Sequence, residues 1–471
     1  MSTPPASDDN QKSGVTRRGF VKTGAALGAV AAASSIPMIT RSAYAQGDNQ
    51  TLGLGIVGSG GRGTGAIFNH LQAAQELGID VELRAMGDLA SDRLNGSLAN
   101  LQQNWGEKIQ VDEDSRYTGF DAYKDVCAHD GVDIVIQTTP PGLRYLTLAE
   151  AVKNGKHSFV EKPVCIDADT YRSVLASGNI ADNNNLAIVS GTQYRRETSY
   201  MDGIEQLQQG LIGDITASYA YYCAGTLWHR GRGPDNAPWS EMEYQMRNWL
   251  YFTWLSGDHI AEQSVHNIDA INWAMGGPPA RCYASGGRIA RTGEEYGNIY
   301  DHFSVHYDYA NGSRCSFMSR QYPGCDNRVE NRFVGTEGVM DIQPNPGRTR
   351  WIARDHDGNE LGRNAGRDGN NEPYVEEHKA LLQSIVDGNP VQEIQEVADS
   401  SLTAVIGRES AYSGRFVDFA WMANQSKLKL RPNVPPFVAG DVDQTVTEEV
   451  DGQQKVYDYS KVPVPGTYEL R

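Results

Sequence analysis

Residues 51–77 read TLGLGIVGSGGRGTGAIFNHLQAAQEL: a short apolar run, a glycine cluster, then a stretch with helical spacing. Few folds suit that order. Leu, Ile and Val crowded into Thr51–Gly58 fit a strand buried on both faces, as in a parallel sheet. Thr64–Leu77 repeats its apolar positions with a helix period. Between them Gly58, Gly60 and Gly63 hold the GxGxxG spacing, with Gly61 and Arg62 inside it. The first glycine allows a tight turn, the second lets backbone approach a pyrophosphate, and the third lets helix pack on strand. The helix N-terminus adds free amides and partial positive charge. A purely structural turn is the alternative, and the flanking strand and helix disfavour it.

The chain continues in the same alternation. Val81–Gly87 reads as a second strand ending at Asp88. A carboxylate there accepts bonds from ribose hydroxyls and repels a 2′-phosphate, so NAD is favoured over NADP, although nearby Arg93 keeps NADP open. Val132–Thr138 is a further strand, stopped by Pro140-Pro141; Leu146–Asn154 reads as a helix, and His157–Val160 and Leu186–Ser190 as strands. Strands alternating with helices imply a doubly wound parallel sheet over residues 46–190.

From about Gly213 the texture changes. Thr216–Cys223, Arg281–Ile289, His302–Tyr309, Arg314–Ser319, Glu330–Val334 and Gly338–Ile342 alternate in strand fashion, with helical stretches between and after them. A second, α+β domain with a large open mixed or mostly antiparallel sheet is expected over 191–430. Tyr374–Asp387 and Ala398–Asn424 read as helices near its end, and 431–471 as an extended tail.

The first 45 residues read as an address. Arg17 and Arg18, with Phe20 and Lys22, resemble the twin-arginine export motif, and a weakly apolar run follows from Gly24 to about Ile39. That run is too short and too rich in small residues to span a bilayer stably. Ala43-Tyr44-Ala45 then offers a cleavage site. The expectation is an exported, periplasmic protein, soluble after cleavage and carrying a tightly held cofactor, since this route moves folded proteins.

The formal net charge of −17 opposes phosphate backbones, so nucleic acid is an unfavoured partner. Six scattered cysteines form no CxxC pair, which disfavours a zinc ribbon or redox motif. Cys315 and Cys325 are the nearest in sequence, but mostly free, buried thiols are expected in a chain this long.

Val160-Glu161-Lys162-Pro163 follows a strand in the part of the first domain where chemistry is expected. With it stand Thr139-Pro140, the run GKHSFVEKP (Gly155–Pro163), Gly191-Thr192-Gln193, EQSVHNID (Glu262–Asp269), Gly335-Thr336-Glu337-Gly338 and the stretch near Arg408–Gly414. Together they resemble the Gfo/Idh/MocA oxidoreductases over most of the chain after residue 50. The resemblance implies a Rossmann domain, a second domain whose open sheet often supports homo-oligomers (a dimer or tetramer here), and oxidation of a secondary hydroxyl of a sugar or cyclitol. It places Lys162 near the nicotinamide and the reacting hydroxyl. His266 and Glu262 match a pair that is usually histidine and aspartate. It also implies that Thr139, Pro140, Glu161, Lys162 and Gln193 contact the cofactor. Arg144 stands where many relatives carry histidine, which makes it a candidate substrate contact, as are Arg195 and Asp269.

The chemistry asks for the same residue types. Removing hydride from H–C–OH needs a base for the hydroxyl proton, and histidine has the right ordinary pKa. An ammonium at the same oxygen stabilises developing alkoxide charge. His266 is therefore read as base, Lys162 as electrostatic stabiliser, and Glu262, four residues before His266 on one helix face, as orienter or substrate ligand. Against these stand plainer readings: a surface lysine before a proline turn, a satisfied helix histidine, or a divalent-metal site of His259, Glu262 and His266. No HExxH pattern supports the metal, and none is expected. His302 and His306 read as sheet-surface residues. Tyr194, Arg195 and Arg196 could line the site or pair with acids. Trp228, His229, Trp239, Trp249 and Trp254 fit either a sugar-stacking wall or a core.

Three functions compete. The first is a sugar, glycoside or cyclitol oxidoreductase. The second is an NAD-dependent glycoside hydrolase that oxidises, eliminates and returns the hydride, a recognised exception to two-carboxylate hydrolysis; no THG-type histidine segment supports it here. The third is a sugar- or nucleotide-binding protein without catalysis, against which Lys162 and His266 count. Fold alone does not choose among them.

Overall fold

A computed structural model describes residues 51–343, 350–364, 372–432, 447–450, 453–456 and 461–471. The export segment read at residues 1–45 and residues 433–446 of the expected tail lie outside the described residues. Among the described residues no helix is long and apolar enough to cross a membrane.

The first half alternates as expected: β1 (Leu52–Val57), α1 (Gly61–Leu77), β2 (Val81–Asp88), α2 (Ser91–Trp105), β3 (Arg116–Thr118), α3 (Ala122–Ala128), β4 (Ile134–Gln137), α4 (Pro141–Lys153), β5 (His157–Val160), α5 (Ala168–Asn183) and β6 (Ile188–Ser190). The six strands are parallel, in the order β3-β2-β1-β4-β5-β6. β1 is buried at every position, as an apolar run covered on both faces must be. Two helices start earlier than their apolar periodicity shows. α1 begins at Gly61, inside the glycine loop, and α4 begins at Pro141, because proline suits the first helical turn.

The second half contains α6 (Thr198–Gln208), β7 (Ile215–Ala224), α7 (Glu241–Arg247), α8 (Thr253–Ser256), α9 (His259–Glu262) and α10 (Val265–Met275). β8 (Arg281–Gly287), β9 (His302–Asp308), β10 (Arg314–Gln321), β11 (Arg328–Gly335), β12 (Gly338–Gln343), β13 (Arg350–Asp355) and β14 (Glu360–Arg363) follow. Then come α11 (Pro373–Val386), α12 (Ile394–Ser413), β15 (Val417–Asp418), α13 (Phe419–Asn424), β16 (Thr447–Val450) and β17 (Gln453–Val456). Nine strands form one mixed sheet, β14-β13-β12-β11-β7-β10-β9-β8-β15, in which only β7 and β10 run parallel.

The single helix read across Ala398–Asn424 is two. α12 ends where Gly414 takes a left-handed φ of 71°, and β15 intervenes before α13. α12 is buried along most of its length between α5 and the face of β8 and β9, so one apolar core runs from the first sheet's helices to the second sheet. α11 goes the other way. It packs on α1, and Val375, Leu381, Leu382 and Ile385 join the core of the first sheet. The tail is not wholly extended: β16 and β17 pair as a hairpin. Its last residues dock on the body, where Tyr468 donates to Glu409 at 2.9 Å and Tyr300 donates to the Pro463 carbonyl at 2.7 Å. All six cysteines are free, five of them buried and Cys325 exposed.

Candidate active site

β1 and β4 are neighbours whose connections leave in opposite directions, which opens a crevice beyond their carboxyl ends. The loops after β1, β2, β3 and β4 line a cavity of about 880 Å³ there. Gly58, with φ 97°, and Gly63 are sterically obligatory: a Cβ on Gly58 would lie 2.8 Å from the Thr138 carbonyl carbon, and one on Gly63 would lie 2.0 Å from the Gly58 oxygen. Gly60 and Gly61 differ, since a Cβ on either would meet nothing within 4 Å, and both line the cavity. The N-terminus of α1 carries neither a side-chain cap nor an acid in its first turn. Bare amides, open glycines and the buried, unpartnered Thr139 hydroxyl make a cradle that fits a dinucleotide; Gln193 Oε1 is likewise buried without a partner, although Gln193 does not line this cavity.

Asp88 holds this loop in place. One carboxylate oxygen accepts the Ser59 amide at 2.6 Å and the other the Ala90 amide at 2.9 Å. Burial pushes its pKa up against those two bonds. Arg93 lies on the same wall, and the opposite half of the molecule supplies Trp228, Arg230, Met246, Arg247 and Trp249. Arg247 reaches Asp92 through two bonds of 3.0 and 2.9 Å and stacks on Trp239 at 4.7 Å. Trp228 and Trp249 therefore face the cavity, whereas Trp254 is fully buried and donates to Gln245 at 2.8 Å.

Lys162, Glu262 and His266 do not line that cavity; they gather beyond it, where β5 ends. The Lys162–Pro163 peptide is cis. Lys162 Nζ donates to the Glu262 main-chain carbonyl at 2.7 Å and lies 3.6 Å from its carboxylate. His266 is buried and its Nδ1 has no partner. Burial, then the charges of Lys162 and Arg62, hold its pKa well below the ordinary imidazole value, so it is neutral at neutral pH. Its ring packs 5.1 Å from Tyr194, which stacks on Tyr200.

The expected helix face shared by Glu262 and His266 is broken. α9 stops at Glu262 and α10 starts at Val265, with Gln263 and Ser264 between. The Glu262 carboxylate turns to Gln263 Nε2 at 2.6 Å, not to the imidazole, and Gln263 in turn accepts from Tyr222 at 2.9 Å. Gln263 and Tyr222 thus belong to the cluster, although no spacing rule singles them out. Arg144 is buried and donates to the Pro163 carbonyl at 2.7 Å, bracing the turn after Lys162; burial pulls its pKa down to about 10. Arg195 and Asp269, both read as substrate contacts, bind each other through two bonds of 2.8 Å, and Ser400 fills a further acceptor site of Asp269 at 2.7 Å. This forked pairing ties the two side chains to each other.

Arg62 and Glu161 follow the motif's expectation only in part. Arg62 lines the cavity, as expected, but its guanidinium also donates to Glu161 and reaches Asn69 at 3.1 Å and Glu377 at 3.3 Å under the Tyr374 ring. His259 is engaged by Ser319 and Asp258, and among the described residues no group of three or more His, Cys, Asp or Glu side chains is placed to hold a metal. His302 pairs with Asp301 at 2.8 Å, and His306 is exposed on the outer sheet face.

Residues 52–188 match the oxidoreductase family with an NAD-binding Rossmann fold, and residues 204–341 match the GFO/IDH/MocA C-terminal domain. The chain belongs to the Gfo/Idh/MocA oxidoreductase family. An uncharacterised oxidoreductase of Streptococcus pneumoniae is 27% identical over 187 residues, 40% of this chain and 46% of that protein. A glycosyl hydrolase family 109 protein of Shewanella baltica is 28% identical over 360 residues, 72% of this chain and 69% of that protein. Among solved structures, levoglucosan dehydrogenase with NADH and L-sorbose superposes with a TM-score of 0.63 at 15% identity, covering 79% of this chain and 99% of that one. Aldose-aldose oxidoreductase from Caulobacter crescentus superposes at 0.61 and 16%, covering 78% of this chain and all of that one. At such identities the structures share a fold: a parallel nucleotide-binding sheet beside a large mixed sheet. This chain is an oxidoreductase by family, with an NAD-binding domain.

Proposed function

We propose that this protein is an NAD(H)-dependent oxidoreductase acting on a secondary hydroxyl of a sugar, glycoside or cyclitol. The observation that carries this reading is the gathering of Lys162, Glu262 and a buried, neutral His266 at the end of β5, next to the nucleotide crevice. When bound, NAD supplies a hydride acceptor, held by the amides of Gly60–Gly63, by Thr139 and by the Gln193 amide side chain. The remaining work falls to the chain. His266, kept neutral by burial and two nearby cations, is in the form that takes the hydroxyl proton. The Lys162 ammonium, fixed by the Glu262 carbonyl, lowers the energy of the negative charge that grows on the same oxygen. Glu262 keeps the lysine in place and offers a carboxylate oxygen to a neighbouring hydroxyl.

A second reading, an NAD-dependent glycoside hydrolase working through transient oxidation and elimination, is favoured by the relatives in glycosyl hydrolase family 109 that align with 72% of the chain. Both readings use the same base and the same lysine; they differ in whether electrons leave the site. In either case we take the protein to be exported, to retain its cofactor through turnover, and to assemble with copies of itself.

The test is to purify the protein without added nucleotide, denature a portion and quantify released NAD(H) and NADP(H). The native remainder is then offered sugars, inositols and aryl glycosides. Carbohydrate-dependent appearance of NADH absorbance supports the oxidoreductase. Aglycone release without net NADH moves the assignment to the hydrolase. Absence of nucleotide, together with no binding on titration, overturns both.

A further inference from the structure

We infer that Arg62, although it lies within the glycine motif, is a positioning residue for Lys162 that acts through Glu161, and not a ligand of the cofactor's phosphates. The inference rests on the role given to Lys162 above. The guanidinium is one-third exposed on the cavity wall, yet each of its three nitrogens already has a partner. Its Nε donates to the Glu161 carboxylate, Nη1 donates to Asn69 Oδ1 at 3.1 Å, and Nη2 donates to Glu377 Oε1 at 3.3 Å. Tyr374 covers it at 4.7 Å. A pyrophosphate would compete with these partners for the side chain, while Gly60 and Gly61, also on the cavity wall, leave the backbone there uncovered by any side chain.

The second link is local. The other oxygen of Glu161 accepts the backbone amide of Lys162 at 3.1 Å. No side chain fits on the far side, since a Cβ on Gly191 would come within 2.7 Å of that carboxylate. Glu161 is therefore fixed at one end by Arg62 and fixes the start of the Lys162 turn at the other. Burial raises the Glu161 pKa, and the charges of Arg62, Lys162 and Arg144 outweigh it and keep the group ionised. The groups facing Lys162 come from several elements: Arg62 on α1, Glu161 beside it, Glu262 on α9 and His266 on α10, with Arg144 on α4 behind Glu161. Arg62 is the one that ties this set to α11, through Glu377 and Tyr374.

The experiment needs no substrate. Full-length Arg62→Gln, Arg62→Lys, Glu161→Gln and Glu377→Gln proteins are labelled with an amine-directed reagent across a pH series. Labelling of the Lys162 peptide is quantified by mass spectrometry, and NAD affinity is measured by calorimetry. Arg62→Gln should change the Lys162 labelling rate by about fivefold or more while moving the NAD dissociation constant by less than about threefold, because the lysine's local charge and geometry alter but the amide cradle does not. Glu161→Gln should change the Lys162 labelling rate as well, since it weakens the acceptor of the Lys162 backbone amide. Arg62→Lys, which keeps the charge, should recover part of the native rate. If Arg62→Gln fails to fold, Glu377→Gln, which leaves Arg62 on Glu161, should shift labelling in the same direction by less. Unchanged Lys162 labelling overturns the inference, as does a tenfold or greater (roughly 1.4 kcal/mol) loss of NAD affinity, which would make Arg62 a phosphate ligand. An intact labelling response in a protein that oxidises no carbohydrate supports the relay and overturns only the proposed reaction.

Discussion

Lys162 Nζ donates to the main-chain carbonyl of Glu262 across 2.7 Å, and this bond spans the boundary between the two sheets. The lysine stands on the loop after β5 of the parallel sheet, and the carbonyl ends α9, among the helices packed on the mixed sheet. Replacing Lys162 with Met keeps the volume and removes the charge. Turnover is expected to fall by about 10²–10³-fold, the loss typical of a missing oxyanion donor, with NAD binding retained. Loss of NAD binding in the same variant would show the lysine to be a cofactor ligand first.

The glycine loop separates steric from functional demand. Gly63→Ala forces a Cβ against the Gly58 carbonyl oxygen and should destabilise the protein by about 1–3 kcal/mol or more, seen as a lowered Tm. Gly60→Ala meets no protein atom and should leave Tm nearly unchanged, while NAD affinity drops by about tenfold because the methyl group occupies the cradle. Equal effects on Tm would refute this division.

Four histidines with depressed pKa values, three of them buried and His157 half-buried, make the fold sensitive to acid. Burial pulls His70 down to about 3 and His157 to about 4, and His266 and His378 are also held well below the ordinary value. In the unfolded chain each binds a proton below about pH 6.5; in the fold each stays neutral until far lower. The unfolded state therefore gains protons first as pH falls, and stability is lost from about pH 6.5 downward, by at most about 1.4 kcal/mol per pH unit per histidine. His157→Asn should flatten the fall of Tm with acid over that window. A slope identical to the native one would remove His157 from the account.

Arg247, which lines the nucleotide cavity, reaches across to Asp92 at the start of α2. Asp92 is largely exposed, so the pair should contribute no more than about 1 kcal/mol to stability. Its rupture in Arg247→Ala, which also frees Trp239, is expected to raise the NADH release rate by about threefold or more, followed as loss of bound-cofactor fluorescence. An unchanged release rate would mean that these side chains do not restrain the nucleotide.

Asp88 lines the cavity and is expected to bias cofactor choice through its charge. Asp88→Asn should raise the affinity for NADP relative to NAD by about tenfold, because Arg93 on the same wall and Arg230 on the facing one remain to meet a 2′-phosphate. Comparative titration of the two nucleotides decides the point, and an unaltered ratio would show that the carboxylate serves the loop alone.

The first sheet was legible because its signals are local. Leu52–Val57 is apolar throughout, and Asp88 closes the second strand where a ribose ligand is expected. β13 escaped notice for an equally local reason: in RWIARD only Trp351 and Ala353 point inward, too little alternation to mark a strand. The site was less legible, since motif spacing says which residues are present and not where their side chains turn. Nothing in the sequence pairs Arg195 with Asp269, 74 positions later, or ties Arg62 to Glu161. The break after Glu262 was hidden because Gln263 and Ser264 do not forbid a continuous helix.

The return of α11 to α1 has a consequence for how the protein is made. A ribosome that has released residues up to Ser190 has delivered every strand of the parallel sheet, yet the α1 surface that Leu381, Leu382 and Ile385 will cover is still bare, and His70 and Arg62 lack His378 and Glu377. The nucleotide-binding half must wait for nearly two hundred further residues before it is sealed. Order of synthesis and order of completion therefore diverge.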